Sequence, residues 1–274
     1  MIWVTSNVDG TEYKEPFSKG IMSRSLNVSY IGSKRAYEIA GEIEDELIKN
    51  ELFIISREEL ADIVLDHLIS MDSKIAEKYK NLKLLRKSKK PLIILMGGSS
   101  GVGTSSMAFE LANRLRLKNI ISTDMIREVM RKVVSKELSP VIHKSSFNAY
   151  ESIKNPSVKM DRVIEGFIAH ADVVNVGIEA IIERSIKEGI STIIEGVHVV
   201  PGFISKDLLE NNNIIMFTLM IENEESHKQR FYSRCTQPWV KRSLGNYMEN
   251  FESIRKTQDF LVEQAKIYDS HIIN

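Results

Sequence analysis

Scarcities in this 274-residue chain each close off a class of protein. Cys235 is the single cysteine. A lone thiol excludes an intramolecular disulfide framework and argues against a cysteine-built zinc site, and it suits a reducing compartment. Neither sign of charge is in excess, with Lys+Arg and Asp+Glu both at 37. That balance leaves no global electrostatic footprint for nucleic acid or an anionic membrane. Apolar runs long enough to cross a bilayer are lacking, and Met1–Gly10 shows no basic stretch followed by an apolar one. A soluble cytoplasmic protein is expected, acting on a small molecule and not on nucleic acid or membrane. Without a secretory signal, the glycosylation-like triplet Asn27-Val28-Ser29 is read as chance. Repeats and low-complexity tracts are missing too, while 43% hydrophobic content suffices for a substantial core in one large domain or two smaller ones.

What is present begins with helical spacing. From Ser33 the apolar positions Ala36, Ile39, Ala40, Ile43 and Leu47 recur as one face of a helix. Ser56-Arg57-Glu58-Glu59 is a capping box opening a second helix through Leu60, Ile63, Val64 and Leu68. Leu82 to Lys90 carries Lys83, Arg86, Lys87, Lys89 and Lys90 and reads as a basic linker, giving domains over 1–88 and 89–274. Beyond it, the apolar runs at Leu92–Leu95, Asn119–Ser122, Ser191–Glu195, Ile214–Ile221 and His271–Ile273 alternate with helical patterns. Such alternation predicts an α/β fold with a buried parallel sheet. Lys144 to Gly189 is a long, largely helical insertion of the kind that shapes substrate sites.

The first apolar run leads into Gly97-Gly98-Ser99-Ser100-Gly101-Val102-Gly103-Thr104-Ser105-Ser106 and then a helical pattern. This matches the phosphate-binding template G-x-x-x-x-G-K-[ST] at every fixed position but one. Gly98 and Gly103 are the glycines, Ser105 is the magnesium-side hydroxyl, and Thr104 stands where lysine would. Backbone amides and the helix dipole hold phosphate without an ammonium. The charge that normally follows the β and γ phosphates must then come from elsewhere. Read blandly, the run is a glycine-rich turn between a strand and a helix.

Three further clusters are candidates. After Ser122-Thr123, helical spacing predicts Ile126, Val129, Met130 and Val133 on one face and Asp124, Arg127 and Arg131 on the other. Asp124 can accept a proton from an attacking hydroxyl, and the arginines can grip an anionic acceptor; the alternative is a capped, solvated helix with local ion pairs. Glu195 ends the apolar run at Ser191. It could hold magnesium through water, orient the acceptor, or pair with a basic side chain. His198 just beyond it reads as structural or solvated. His227, Arg230 and Arg234 recur at i, i+3 and i+7. They suggest either a lid whose arginines replace the missing lysine or a solvated basic face. Pro238 and Trp239 read as the end of that helix.

Taken together, Gly97–Ser105, Ser122–Arg131 and Ile194-Glu195-Gly196-Val197-His198-Val199-Val200-Pro201-Gly202 resemble the archaeal 2-phosphoglycerate kinases, from about residue 91 onward. The resemblance implies a P-loop kinase-like parallel sheet with helices on both faces. It also implies transfer of the γ-phosphoryl of ATP, with Mg2+, to the 3-hydroxyl of 2-phosphoglycerate, giving 2,3-bisphosphoglycerate. The loop from Gly98 to Ser106 would bind the nucleotide, Ser105 the metal, and Arg127, Arg131 and Glu195 the acceptor. Asp124, Arg230 and Arg234 would be catalytic. The first eighty or so residues, with Gly10, Glu15-Pro16-Phe17-Ser18-Lys19-Gly20, Ala40, Ile43-Glu44 and Ile55-Ser56, look like an ATP-cone, a small, mostly helical nucleotide-sensing module. An added module leaves room for a homodimer. Two alternatives stand beside this reading: a nucleotide sensor with a non-catalytic P-loop, and a kinase for another small hydroxylated metabolite.

Overall fold

The computed structural model describes residues 1–8, 10–27, 31–88, 90–210, 213–236 and 244–274. The chain divides into two compact units, Met1–Ser88 and Lys89–Asn274. Val28 and Ser29 of the glycosylation-like triplet, Lys89 of the basic stretch, Pro238 and Trp239 lie outside the described residues.

In the first unit β1 (Trp3–Val8) and β2 (Thr11–Pro16) pair antiparallel, with Trp3 opposite Pro16. Helices α1 (Lys19–Asn27) and α2 (Ser33–Lys49) follow, then β3 (Ile54–Ser56), parallel to β1. Helices α3 (Arg57–Met71) and α4 (Ser73–Lys87) complete the unit. All five spaced positions of α2, from Ala36 to Leu47, are fully buried. They pack with Leu26, Val64 and Leu68. The capping box forms as its spacing requires: Glu59 N–H donates to Ser56 Oγ at 3.1 Å, and Ser56 N–H donates to Glu59 Oε2 at 2.9 Å.

The unit is mostly helical, as expected, with a three-stranded sheet that the sequence did not announce. Every residue of β2 is exposed and β3 has three residues, so neither shows the apolar alternation that announces a strand. Leu82 to Lys87 is not a linker but the end of α4. Leucine, lysine and arginine are good helix formers, and no glycine or proline interrupts them before Pro91.

The second unit alternates strand and helix as predicted. Its elements are β4 (Ile93–Gly98), α5 (Thr104–Leu115), β5 (Asn119–Ser122), α6 (Thr123–Val133), α7 (Arg162–Glu188), β6 (Thr192–Glu195), α8 (Lys206–Leu209), β7 (Ile214–Leu219), α9 (Glu224–Cys235), α10 (Leu244–Glu249), α11 (Phe251–Ile267) and β8 (His271–Ile273). The strands form one parallel sheet in the order β5-β6-β4-β7-β8. Alternate side chains of β4 enter different cores. Ile93 and Leu95 pack with Val174, Ile178 and Ile182 of α7, while Ile94 and Met96 pack with Ala108 and Ala112 of α5. Every residue of β4 and β6 is buried, and burial on both faces explains why these central strands read as continuous apolar runs. The central strand β4 is flanked by β6 and β7, both later in sequence. Its carboxyl end therefore lies where strand order reverses, the place at which open α/β sheets bind ligands. No helix among the described residues is long and apolar enough to cross a membrane.

The predicted faces of α6 need correction. Ile126 is buried, yet Val129 and Val133 are 66% and 81% exposed, while the Arg127 and Arg131 side chains are only 12% and 21% exposed. Periodicity sets the angle between residues but not which arc meets the protein. Here Ile126 seats against Gly177 of α7, and the arginines turn inward beside it.

Candidate functional site

The loop after β4 is shaped by close approach. Gly101 has φ +92°, and a β-carbon there would lie 2.5 Å from Cζ of Phe231 on α9. Only glycine admits both the left-handed backbone and the ring packed against it. His227, one turn earlier on α9, is fully buried and donates from Nε2 to the carbonyl of Ser100 at 2.8 Å. Burial holds its pKa below the usual imidazole value, which keeps the ring neutral. The basic face expected for α9 is thus interrupted by His227 and Phe231, which fasten the helix to the phosphate loop. Phe231 also stacks on Tyr247 of α10, centroids 4.5 Å apart. The signal for this was the apolar spacing of Phe231 relative to His227, which the arginines overshadowed.

A cleft of about 350 Å³ opens above this loop. It brings together Gly98, Ser99, Ser100, Gly101 and Gly103 to Ser106 from the loop, Asp124 from α6, Glu195 from β6, and Arg230 and Arg234 from α9. Ser122, Gly196, Val197 and Ser233, to which the sequence assigned no role, also line it. Val102 does not: it is 6% exposed and packs in the core with Ile94 and Met96. Arg230 Nη1 lies 3.7 Å from where a β-carbon on Gly103 would stand, so α9 brings a guanidinium to the loop that lacks its lysine.

Glu195 is 4% exposed, and its two oxygens accept from Thr104 Oγ1 at 2.7 Å and Ser105 Oγ at 3.0 Å. The basic partner considered for it is not what holds it; the loop's own hydroxyls are. A carboxylate buried with two hydroxyls costs desolvation that a cation would offset. Thr104 therefore turns its hydroxyl to Glu195 instead of standing in for an ammonium.

Arg127 and Arg131 do not line the cleft. Arg127 pairs with Asp124 at 3.3 Å and Glu128 at 3.2 Å, and its buried Nε has no partner among the described residues. Arg131 donates to the carbonyls of Ile142 and Lys144 and to Glu128. Its pKa is lowered by burial and by the Arg127 charge beside it. The arginine expected to clamp an acceptor is spent on holding the 140–144 segment, whose carbonyls would otherwise be unsatisfied. His198, read as structural or solvated, is wholly buried, with Nδ1 2.8 Å from Thr123 Oγ1.

Phosphate-loop geometry at the carboxyl edge of a five-stranded parallel sheet, with a strand-end carboxylate and arginines from a later helix, defines a P-loop kinase. Within that class the chain belongs to the 2-phosphoglycerate kinase family. It is 50% identical over 274 residues to the 2-phosphoglycerate kinase of Methanothermobacter thermautotrophicus, covering 100% of this chain and 90% of that one. With the enzyme of the same name from Methanopyrus kandleri it shares 43% over 267 residues, 97% of this chain and 81% of that one. The Pyrococcus horikoshii protein so named is 39% identical over 265 residues, 96% of this chain and 86% of its own. No protein-family model matches the chain. Among solved structures, a shikimate kinase from Acinetobacter baumannii in complex with shikimate superposes with TM-score 0.38 at 16% identity, over 70% of this chain and 87% of that one. At that level the likeness adds nothing to what the strand order defines.

Proposed function

We propose that the chain transfers the γ-phosphoryl of ATP to the 3-hydroxyl of 2-phosphoglycerate, giving 2,3-bisphosphoglycerate. The observation that carries this reading is the convergence of the phosphate loop, Asp124, Glu195, Arg230 and Arg234 on one cleft, in a chain half identical to a 2-phosphoglycerate kinase along its whole length. Amides from Gly98 to Ser105 cradle the triphosphate at the start of α5. Ser105 Oγ and the Glu195 carboxylate are hard oxygen donors 3.0 Å apart, a pair suited to a divalent cation that keeps several waters. Magnesium bound there would shield the β and γ phosphates. Arg230 and Arg234 meet the charge that develops on the transferring group. Asp124 accepts the proton of the attacking hydroxyl. Arg127, outside the cleft's lining, holds the Asp124 carboxylate in place, while Arg131 positions the neighbouring segment. Purified protein with magnesium, ATP and 2-phosphoglycerate should form bisphosphoglycerate. ATP bound, magnesium present and no such product would reject the acceptor.

Residues 1–88 are proposed as an ATP-cone-like regulatory domain, on the strength of the residues from Gly10 to Gly20 and a core of its own. A titration giving two nucleotides per chain supports it; one per chain rejects it.

A further inference from the structure

Behind the cleft a chain of three buried polar side chains serves none of the roles above. His198, in the loop after β6, places Nδ1 2.8 Å from Oγ1 of Thr123, the first residue of α6. Its Nε2 lies 3.3 Å from Nε2 of His170 on α7, the two rings 4.9 Å apart and inclined at 48°. Thr123, His170 and His198 are all at 0% exposure. Gly196 closes the arrangement: it has φ +136°, and a β-carbon there would lie 2.1 Å from Thr123 Oγ1. The loop that follows Glu195 is thus pressed against the start of the helix that carries Asp124.

We propose that His198 and His170 are positioning residues for phosphoryl transfer, a neutral imidazole pair that locks Thr123 and through it sets Asp124 at the cleft. This rests on the kinase reading and on Asp124 as its base. A buried imidazole facing Arg127 and Arg131, with Asp124 the nearby carboxylate, is held neutral: burial first, then those guanidinium charges, bring His198 to about 3, and burial, His198 and the same guanidiniums bring His170 to about 2. Neutral rings add no further positive charge beside Arg127 and Arg131.

Neutrality also decides the direction of the hydrogen bonds. Of the two facing Nε2 atoms one carries hydrogen and the other a lone pair. His170 Nδ1 has no partner among the described residues. If His198 donated to His170, that orphan would be an N–H, the costlier kind of unsatisfied group; if His170 donates, it is a lone pair. The inexpensive arrangement runs one way: His170 Nε2–H to His198, then His198 Nδ1–H to Thr123 Oγ1. Thr123 is gripped by a donor, which asparagine at 198 can imitate and leucine cannot.

Two measurements test this. Side-chain nitrogen–proton correlation spectra of the full chain should show His198 with its hydrogen on Nδ1 and His170 with its hydrogen on Nε2, neither titrating between pH 5 and 8. The reverse tautomers, or titration in that range, overturn the proposal. In steady-state assays, His198→Leu should lower kcat about tenfold or more with nucleotide affinity within twofold of the parent, and His198→Asn should regain most of the loss. Thr123→Val should behave like His198→Leu, and the double variant should be no worse than either. Equal loss in the Asn and Leu variants, a parallel fall in nucleotide binding, or additive single effects would each overturn it. A misfolded leucine variant leaves the Asn variant and the spectra to decide. Failure of the kinase reading is distinguishable, because the parent would then make no bisphosphoglycerate whatever its tautomers.

Discussion

The two units of this chain treat their charged and polar groups in opposite ways. In the N-terminal unit the ion pairs are peripheral: Lys19 with Glu44 at 2.8 Å, Arg35 with Glu42 at 2.7 Å, Arg57 with Glu15 at 2.6 Å, each partner substantially exposed. Its interior is aliphatic, built on Leu26, Ile39, Ile43, Leu47 and Leu68. The second unit buries Glu195, His170, His198 and His227. Exposed pairs contribute little because water screens them. Buried polar groups cost stability unless every donor and acceptor is matched, so their concentration around one cleft marks where stability was exchanged for function. Burial marks the polar residues that shape the site from behind, Glu195 and the three histidines, while Asp124, Arg230 and Arg234 stay open to the cleft.

The sharpest way to break that contrast is at Asp124. Asp124→Asn should lower kcat by about 100-fold or more while leaving nucleotide affinity near the parent value, as removal of a positioned base does. Unchanged turnover in a coupled assay would take Asp124 out of the chemistry. Next in size is the aliphatic core of the first unit. Leu47→Ala should cost roughly 2–5 kcal/mol, the range for emptying a packed leucine site. Residue-resolved hydrogen exchange on α2 would reveal it, and protection equal to the parent's would deny that this core holds the unit.

Acid should then separate the units. His170 and His198 are depressed in the folded state to about 2 and about 3, so the unfolded chain binds their protons first, near its ordinary histidine value of 6.5. Stability they contribute is whole above that value and declines as pH falls below it, by up to about 1.4 kcal/mol per pH unit for each imidazole. Glu42 and Glu59 in the first unit also have lowered pKa values, set first by the Arg35 contact and by the Ser56 backbone N–H respectively. Both are exposed carboxylates, so their small contribution persists until pH falls below about 4.5. Hydrogen exchange between pH 6.5 and 5 should therefore loosen α7 before α2; the reverse order would contradict the neutral buried pair. Smaller still, Ser56→Ala should remove about 1 kcal/mol by deleting the cap of α3, read as faster exchange in its first turn. Smallest is Arg57→Ala, expected within about 1 kcal/mol of the parent.

Much of the second unit was legible because two-sided burial makes its central strands β4 and β6 plain apolar runs, and because the phosphate loop packs its chemistry into consecutive residues. Asp124 and Glu195 stood at strand ends, so the order of elements alone brought them to the cleft. What escaped notice came from contacts distant in sequence. Phe231 under Gly101, His227 on Ser100, and Thr123 against His198 join residues separated by 75 or more positions in all three cases. The sheet of the first unit escaped for another reason, since exposed and very short strands carry no alternation to read.

Local chemistry was enough to place α2, α3 and the buried strands, to show that a loop built of glycine and hydroxyl residues could hold phosphate, and to show that its lysine was missing. Only tertiary packing decided that Thr104 serves Glu195, that Arg230 comes to the loop while Arg131 is used up on carbonyls, and that two histidines stay neutral behind the site. Backbone preferences and periodicity are properties of neighbours along the chain. Which way a side chain turns, and which proton it keeps, depends on partners that only folding brings within reach.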